Sequence, residues 1–224
     1  QVEKERGKLR GYFQNDKNEM YLLSIDSYQY LRYTENVLKN GHHGDEIRDG
    51  QWFDTHMRAP LGKPLNFSLY PYFNAYLYKF LSIFSDITVE RVVAISQVIL
   101  IALTLMVMYI LLYRFVGNVG ALAGTLLFAI HPALMDRTVG GLADTDAFIM
   151  LFFFLIVWFF VLAFDATGKK KWVYLILSGT ATGIFTHLWT GWWLTTYLLV
   201  GSGIVYTFLI MFFKRTAIIE TIKQ

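Results

Sequence analysis

Four stretches without an aspartate, glutamate, lysine or arginine constrain this chain more than any other feature: 92–113, 115–135, 147–164 and 172–213, of 22, 21, 18 and 42 residues. A run of that length must find a solvent that does not hydrate charge. Each of the first three can cross a hydrocarbon layer of about 30 Å as one helix, the only single-segment geometry that satisfies its own peptide groups there. The fourth would extend about 63 Å at the helical rise, enough for two crossings. Thr190-Gly191, flanked by Trp189, Trp192 and Trp193, suits a turn at headgroup level. The expected architecture is an all-α, multi-pass membrane protein with spans at about 92–113, 115–135, 147–164, 172–190 and 193–213.

Composition supports this class and excludes others. Of 224 residues, 55% are hydrophobic and 17% aromatic, at a mean hydropathy of +0.40, more apolar surface than a soluble domain of this size conceals. No cysteine is present, so disulfide scaffolds and zinc thiolate sites are excluded. A net charge of +3, dispersed along the chain, argues against nucleic acid as a partner. Residues 1–91 hold 24 of the 37 charged side chains and are expected to face water. The opening Gln1-Val2-Glu3 and the charged close at 214–224 read as parts of a longer polypeptide.

Basic residues set the orientation. Five alternating crossings put Arg114, Lys169, Lys170, Lys171, Lys214, Arg215 and Lys223 on one side and, among short loops, only Arg137 on the other. The lysine side is the cytoplasm. Residues 1–91, the loop 136–146 and the Trp189–Trp193 turn therefore share the extracytoplasmic side, and 214–224 returns to the cytoplasm. In the outer segment, helical spacing of apolar residues after Asp26 with a stop at Gly41 predicts a short helix. Residues 42–66 read as a loop, and Pro71 opens an interfacial helix bearing Phe73, Leu77, Phe80, Leu81 and Phe84. The pairs Gly120/Gly124 and Gly179/Gly183 read as close-packing positions.

The outer face gathers acidic residues. The loop D-R-T-V-G-G-L-A-D-T-D at 136–146 puts Asp144 and Asp146 at the mouth of the third span, and Asp26 opens the outer helix. Two readings stand side by side. Each aspartate can cap a helix N-terminus. Alternatively, Asp144 and Asp146 converge on a hard divalent cation, whose shell substrate phosphate would complete. Arg137 can pair with these carboxylates or with an anionic phosphate. His42, His43 and His131 read as structural. His187 lies near Trp189 and Trp192, which read as an interface belt or a binding platform.

With S-I-D-S-Y-Q-Y-L-R at 24–32, the 136–146 loop and W-T-G-W-W at 189–193, the chain resembles the catalytic subunit of archaeal oligosaccharyltransferase, from about Met20 to Phe213. The arginine-led, glycine-containing approach to D-x-D is the most specific mark. The first acidic position of the family's outer-loop motif is Ser24 here, while the second matches Asp26. The resemblance implies a GT-C type glycosyltransferase architecture and Mn²⁺ or Mg²⁺ held by Asp26, Asp144 and Asp146 with a glutamate from a later loop. It also implies Arg137 at the donor phosphate, with His187, Trp189 and Trp192 contributing to substrate binding.

The implied reaction moves an oligosaccharide from a polyprenyl (dolichyl) phosphate or diphosphate to the asparagine of an Asn-x-Ser/Thr sequon, with inversion. The carboxylates, Asp26 and Asp144 foremost, act on the acceptor amide. Family parts outside these residues include a further span before Asp26, later spans and a soluble domain with W-W-D-Y-G, so residues 1–224 are expected to be inactive alone. Two other readings remain: a protein O-mannosyltransferase, and a transporter or scaffold whose aspartates only cap helices. Mid-membrane ionisable groups, which a transporter would want, are missing from the span centres.

Overall fold

The computed structural model describes residues 2–15 and 19–222; Lys223, counted above among the cytoplasmic basic residues, lies outside them. The chain runs through α1 (Val2–Phe13), α2 (Ile25–Asn40), β1 (Glu46–Arg48), β2 (Gln51–Asp54), β3 (Lys63–Pro64) and α3 (Leu69–Leu81). It continues through α4 (Val89–Ala129), α5 (Pro132–Thr138), α6 (Asp146–Asp165), α7 (Gly168–Phe185) and α8 (Trp193–Ile222). By length and composition α4, α6 and the Trp193–Phe213 part of α8 can cross a membrane.

Helix α2 is bounded by local chemistry at both ends. The Ser24 side chain accepts the Ser27 N–H, and Gly41, in the left-handed region at φ 79°, donates its N–H to Val37. The stop at Gly41 is as expected. The cap is Ser24, however, and not Asp26, which sits inside the first turn with its carboxylate uncommitted to the helix terminus. At α6 the cap residue is Thr145, whose side chain makes no cap bond, and Asp144 Oδ1 accepts the Thr145 N–H, so only Oδ1 serves the helix terminus.

Residues 42–66 depart from the expected loop. They fold into a three-stranded antiparallel sheet in the order β1-β2-β3, with Arg48 opposite Gln51 and Phe53 opposite Pro64. The β1–β2 turn is Asp49-Gly50, both at positive φ (50° and 77°), the backbone that a two-residue hairpin with the right twist demands. His43 is buried beneath the sheet. Its Nε2 lies 3.0 Å from the Asn66 carbonyl oxygen, and its ring packs edge-on to Trp52, Tyr33 and Tyr72.

Helix α4 doubles back on itself. Gly117 breaks the helical backbone at φ 69° and ψ −174°. Leu112 and Gly124 would stand about 18 Å apart along a straight helix. Here a Cβ on Gly124 would lie 3.0 Å from Leu112 Cδ1, and Tyr109 donates to Asn118 Oδ1 at 2.5 Å. The arms 89–116 and 118–129 thus form a hairpin, turning three residues beyond Arg114. Gly120 and Gly124 sit at its close approach, whereas Gly179 and Gly183 have nothing within 4 Å among the described residues.

Helices α6 and α7 form a second hairpin, tied by the Ser178 hydroxyl to the Ile156 carbonyl at 3.1 Å. One end of the bundle carries the Arg114–Asp165 ion pair and the Phe164–Tyr206 contact. At the opposite end Leu22, Tyr70, Val93, Ala147, Phe185 and Leu188 join in one apolar core. That core fastens the outer segment to the helices. The seven residues between α7 and α8 bracket the expected break at Thr190-Gly191.

Two glycine substitutions separate backbone strain from collision in the outer sheet. A Cβ at Gly62 (φ 74°) would meet Phe53 Cε1 at 2.1 Å and the Asp54 carbonyl oxygen at 2.8 Å, whereas at Gly41 it meets nothing within 4 Å. Gly41→Ala is expected to cost about 1–2 kcal/mol from left-handed strain alone. Gly62→Ala should cost clearly more, read as faster hydrogen exchange across 46–54; equal protection in the two variants would refute the collision.

Candidate functional site

Three distant segments meet at the core end of the bundle. Leu23 N–H donates to the Gly141 carbonyl at 2.9 Å, and Gly141 N–H donates to the Ala94 carbonyl at 2.8 Å. Ala143 N–H donates to Ser27 Oγ at 2.8 Å, and Gln97 Nε2 donates to the Asp144 carbonyl. Gly141 has φ 91°, and a Cβ there would crowd Met20 and Leu23. The loop before α6 is thereby held between the start of α2 and the first turns of α4. Asp26 and Asp144 come into one neighbourhood.

Tyr30 marks that neighbourhood. Its phenol is pushed well above the usual range, first by burial and then by the negative charge of Asp144, with Thr145 opposing and Asp26 adding to the shift. Tyr70, edge-on to Tyr30 at 4.9 Å, is raised to about 12 by burial, with Asp144 contributing and the Ser96 hydroxyl opposing. The Asp144 carboxylate supplies the negative charge felt at both phenols, which burial keeps neutral. Such a field favours a cation.

The carboxylates differ in what they have left to give. Among the described residues Asp26 is exposed and takes part in no hydrogen bond or ion pair. Asp144 is half-buried, and Oδ1 alone is engaged, by the Thr145 N–H at 2.6 Å and the Thr145 hydroxyl at 3.4 Å. Asp146 faces Arg137 at 3.7 Å. Arg137 and Asp146 line a cavity of about 400 Å³ with His131, Phe128, Leu134 and Met150, a basic group at the rim of an apolar recess. The ligand oxygens of Asp26, Asp144 and Asp146 do not gather within 4.8 Å of one another.

Asp45, Asp54 and His56 do gather that closely, a cluster that sequence spacing did not single out. Its oxygens are already occupied. Asp45 accepts from Arg32, Asn36 and Thr55, while Asp54, fully buried, accepts from Arg32, Tyr33 and the His56 and Met57 amides. Burial would raise both carboxyls, but these donors hold each below the ordinary carboxylate range. The Arg32 guanidinium supplies the positive charge that a metal would otherwise bring. This cluster is a lock between α2 and the sheet.

His187, Trp189 and Trp192 stand apart from the carboxylates. His187 packs edge-on to Phe67 at 5.4 Å, and its carbonyl accepts Leu69 N–H at 3.4 Å. Trp189 packs on Phe185 and folds over Gly191. Among the described residues no hydrogen bond, ion pair or ring contact joins these three to Asp26, Asp144 or Arg137. They occupy the same end of the bundle, beside the outer segment.

Comparison with known proteins gives this geometry a family. The family model described as Oligosaccharyl transferase STT3, N-terminal, matches residues 3–222. A dolichyl-phosphooligosaccharide-protein glycotransferase of Methanocaldococcus jannaschii is 34% identical over 169 residues, covering 72% of this chain and 18% of the relative. Its namesake in Methanococcus voltae is 27% identical over 203 residues, covering 87% and 22%. This chain spans about a fifth of their length.

The fold is similar to that of an Archaeoglobus fulgidus oligosaccharyltransferase solved with zinc and sulfate, at a TM-score of 0.66 and 21% identity, covering 84% of this chain and 24% of that one. An archaeal oligosaccharyltransferase from the same organism, in complex with an inhibitory peptide and a dolichol-phosphate, gives 0.66 at 20% identity, covering 84% and 22%.

The Arg32 lock predicts an acid limit. Both carboxyls titrate lower in the folded chain than in the unfolded one, so their contribution is complete above about pH 4 and is lost as pH falls through the depressed folded values. Arg32→Met strands a buried carboxylate and should cost about 3–5 kcal/mol. Hydrogen exchange of the 46–54 amides reads both effects. Unchanged protection in the variant at pH 7 would contradict the lock.

Proposed function

This chain belongs to the STT3 family of oligosaccharyl transferases, and from that premise we propose that it supplies the metal- and donor-binding end of an N-glycosylating enzyme. That enzyme transfers an oligosaccharide from a polyprenyl (dolichyl) phosphate or diphosphate carrier to the asparagine of an Asn-x-Ser/Thr sequon, with inversion. Family membership sets aside the O-mannosyltransferase, transporter and scaffold readings. The observation that carries the proposal is the joining of the α2 start to the 141–144 loop, which brings Asp26 and Asp144 to one end of the bundle near Arg137.

The donor set fits a hard divalent cation such as Mn²⁺ or Mg²⁺. Asp26 has both oxygens free and Asp144 has one, unlike the saturated Asp45 and Asp54, and carboxylate oxygens suit these ions. Asp26 and Asp144 would hold the ion, with Asp146 beside them and a glutamate from a later part of the polypeptide. The bound ion would offset charge developing on the leaving phosphate. Asp26 and Asp144 also accept hydrogen bonds from the acceptor amide, which turns its nitrogen from a conjugated into a more nucleophilic state. Arg137, exposed at the rim of its apolar recess, pairs with donor phosphate. His187, Trp189 and Trp192 offer an aromatic edge for substrate.

The same reading assigns sides and domains. Residues 1–91 and the loops at 136–146 and 186–192 face the extracytoplasmic space. The chain crosses five times, with the first two spans meeting at the Gly117 reversal instead of Arg114, and 214–224 is cytoplasmic. The opposite ends occupied by Asp144 and by Arg114 support this.

In the full-length enzyme, Asp26→Ala and Asp144→Ala should each lower metal-dependent transfer to a sequon peptide at least a hundredfold, and Arg137→Met should raise donor KM with a smaller effect on kcat. Undiminished transfer by either aspartate variant would overturn the site. For sidedness, Val139→Cys and Lys170→Cys, in a background otherwise free of cysteine, should react with impermeant maleimide from opposite faces. Labelling from one face would overturn the topology.

A further inference from the structure

We propose that Ser27 and Gln97 are positioning residues that set the spacing between Asp26 and Asp144, by gripping the backbone around Asp144 from two sides. This rests on the reading of Asp26 and Asp144 as metal ligands. Ser27 follows Asp26 directly and is fully buried. Its Oγ accepts the N–H of Ala143, the residue directly before Asp144, at 2.8 Å across 116 positions of sequence. One hydrogen bond therefore joins the two neighbours of the two ligands. Ser27 Oγ also lies 2.8 Å from Ser24 Oγ, which in turn accepts the Ser27 N–H at 3.1 Å. The two hydroxyls are therefore bonded to each other while Ser27 also accepts from Ala143, and the cap of α2 stiffens the link.

Gln97 grips the other side. It is fully buried on α4, donates from Nε2 to the Asp144 carbonyl, and lies 3.3 Å from the Tyr70 hydroxyl. Among the described residues its own Oε1 is buried without a partner, a burden of about 1–3 kcal/mol that a leucine of similar volume would not carry. What only the amide supplies is the N–H on Asp144. The two bonds fall on the Ala143 N–H and the Asp144 carbonyl, so they hold the backbone on both sides of the Asp144 side chain. They leave its free oxygen unengaged. The direction of that oxygen relative to Asp26 is then a property of the clamp.

Groups that orient ligands in this way alter metal affinity about 10–100-fold when removed. The test measures Mn²⁺ binding to the full-length protein from the loss of the free-ion electron paramagnetic resonance signal, without turnover. Ser27→Ala and Gln97→Leu should each raise the Mn²⁺ Kd about tenfold or more, while saturating Mn²⁺ restores most of kcat and metal-free melting stays close to that of the parent. Thr34→Val serves as control, because among the described residues this buried hydroxyl bonds only within α2, to the Tyr30 carbonyl. It should leave the Kd unchanged.

Parental Kd in both Ser27→Ala and Gln97→Leu, or a matching rise in Thr34→Val, would overturn the clamp. Asp26→Ala separates the two levels. If it binds Mn²⁺ weakly while the clamp variants bind normally, only the positioning role fails; if it binds normally, the ligand assignment itself fails.

Discussion

Hydrocarbon offers a peptide group no hydrogen-bond partner, and that single deficiency arranges this molecule. Apolar stretches become helices, while irregular backbone, charge and strained turns are driven to the two ends of the bundle. The ends are unequal. One holds a glycine reversal and an arginine paired with an aspartate; the other gathers a capped helix, a small sheet, a glycine-rich loop and several carboxylates over a shared apolar core. Chemistry that needs polar groups from far-apart parts of the sequence has one place to assemble.

At that place the carboxylates divide into two kinds by the state of their lone pairs. Asp45 and Asp54 are surrounded by donors and an arginine, so their charge is spent on fastening the sheet to α2. Asp26 and Asp144 retain free oxygens in a negative field bordered by two buried phenols. Proximity alone would select the saturated cluster, which is the tighter of the two. Counting the hydrogen bonds that each oxygen already receives separates carboxylates that fasten structure from those with capacity left to bind.

Much of this was legible in the residues, and the failures have physical causes. The Gly41 stop and the interruption around Thr190-Gly191 follow from local backbone preference, which a sequence displays directly. Asp49-Gly50 displayed the β1–β2 hairpin just as plainly, but neighbouring glycines and prolines made 42–66 read as irregular. Charge interrupts the apolar pattern at Arg114, which therefore reads as the first reversal, whereas the turn waits for the left-handed freedom of Gly117. Aspartate favours the capping role, so Asp26 reads as a cap, but Ser24, two residues earlier, fills it. The Ser27–Ala143 bond was beyond reach, because nothing local in a buried serine announces a partner 116 positions away.

The reversal at Gly117 has a consequence for biogenesis. A ribosome delivers both arms of α4, already able to pair, before it has made the loop that Ser27 awaits. The start of α2 must wait for both arms of α4, so the Ser27–Ala143 bond closes only once the hairpin between its partners has been made, ahead of α6, α7 and α8.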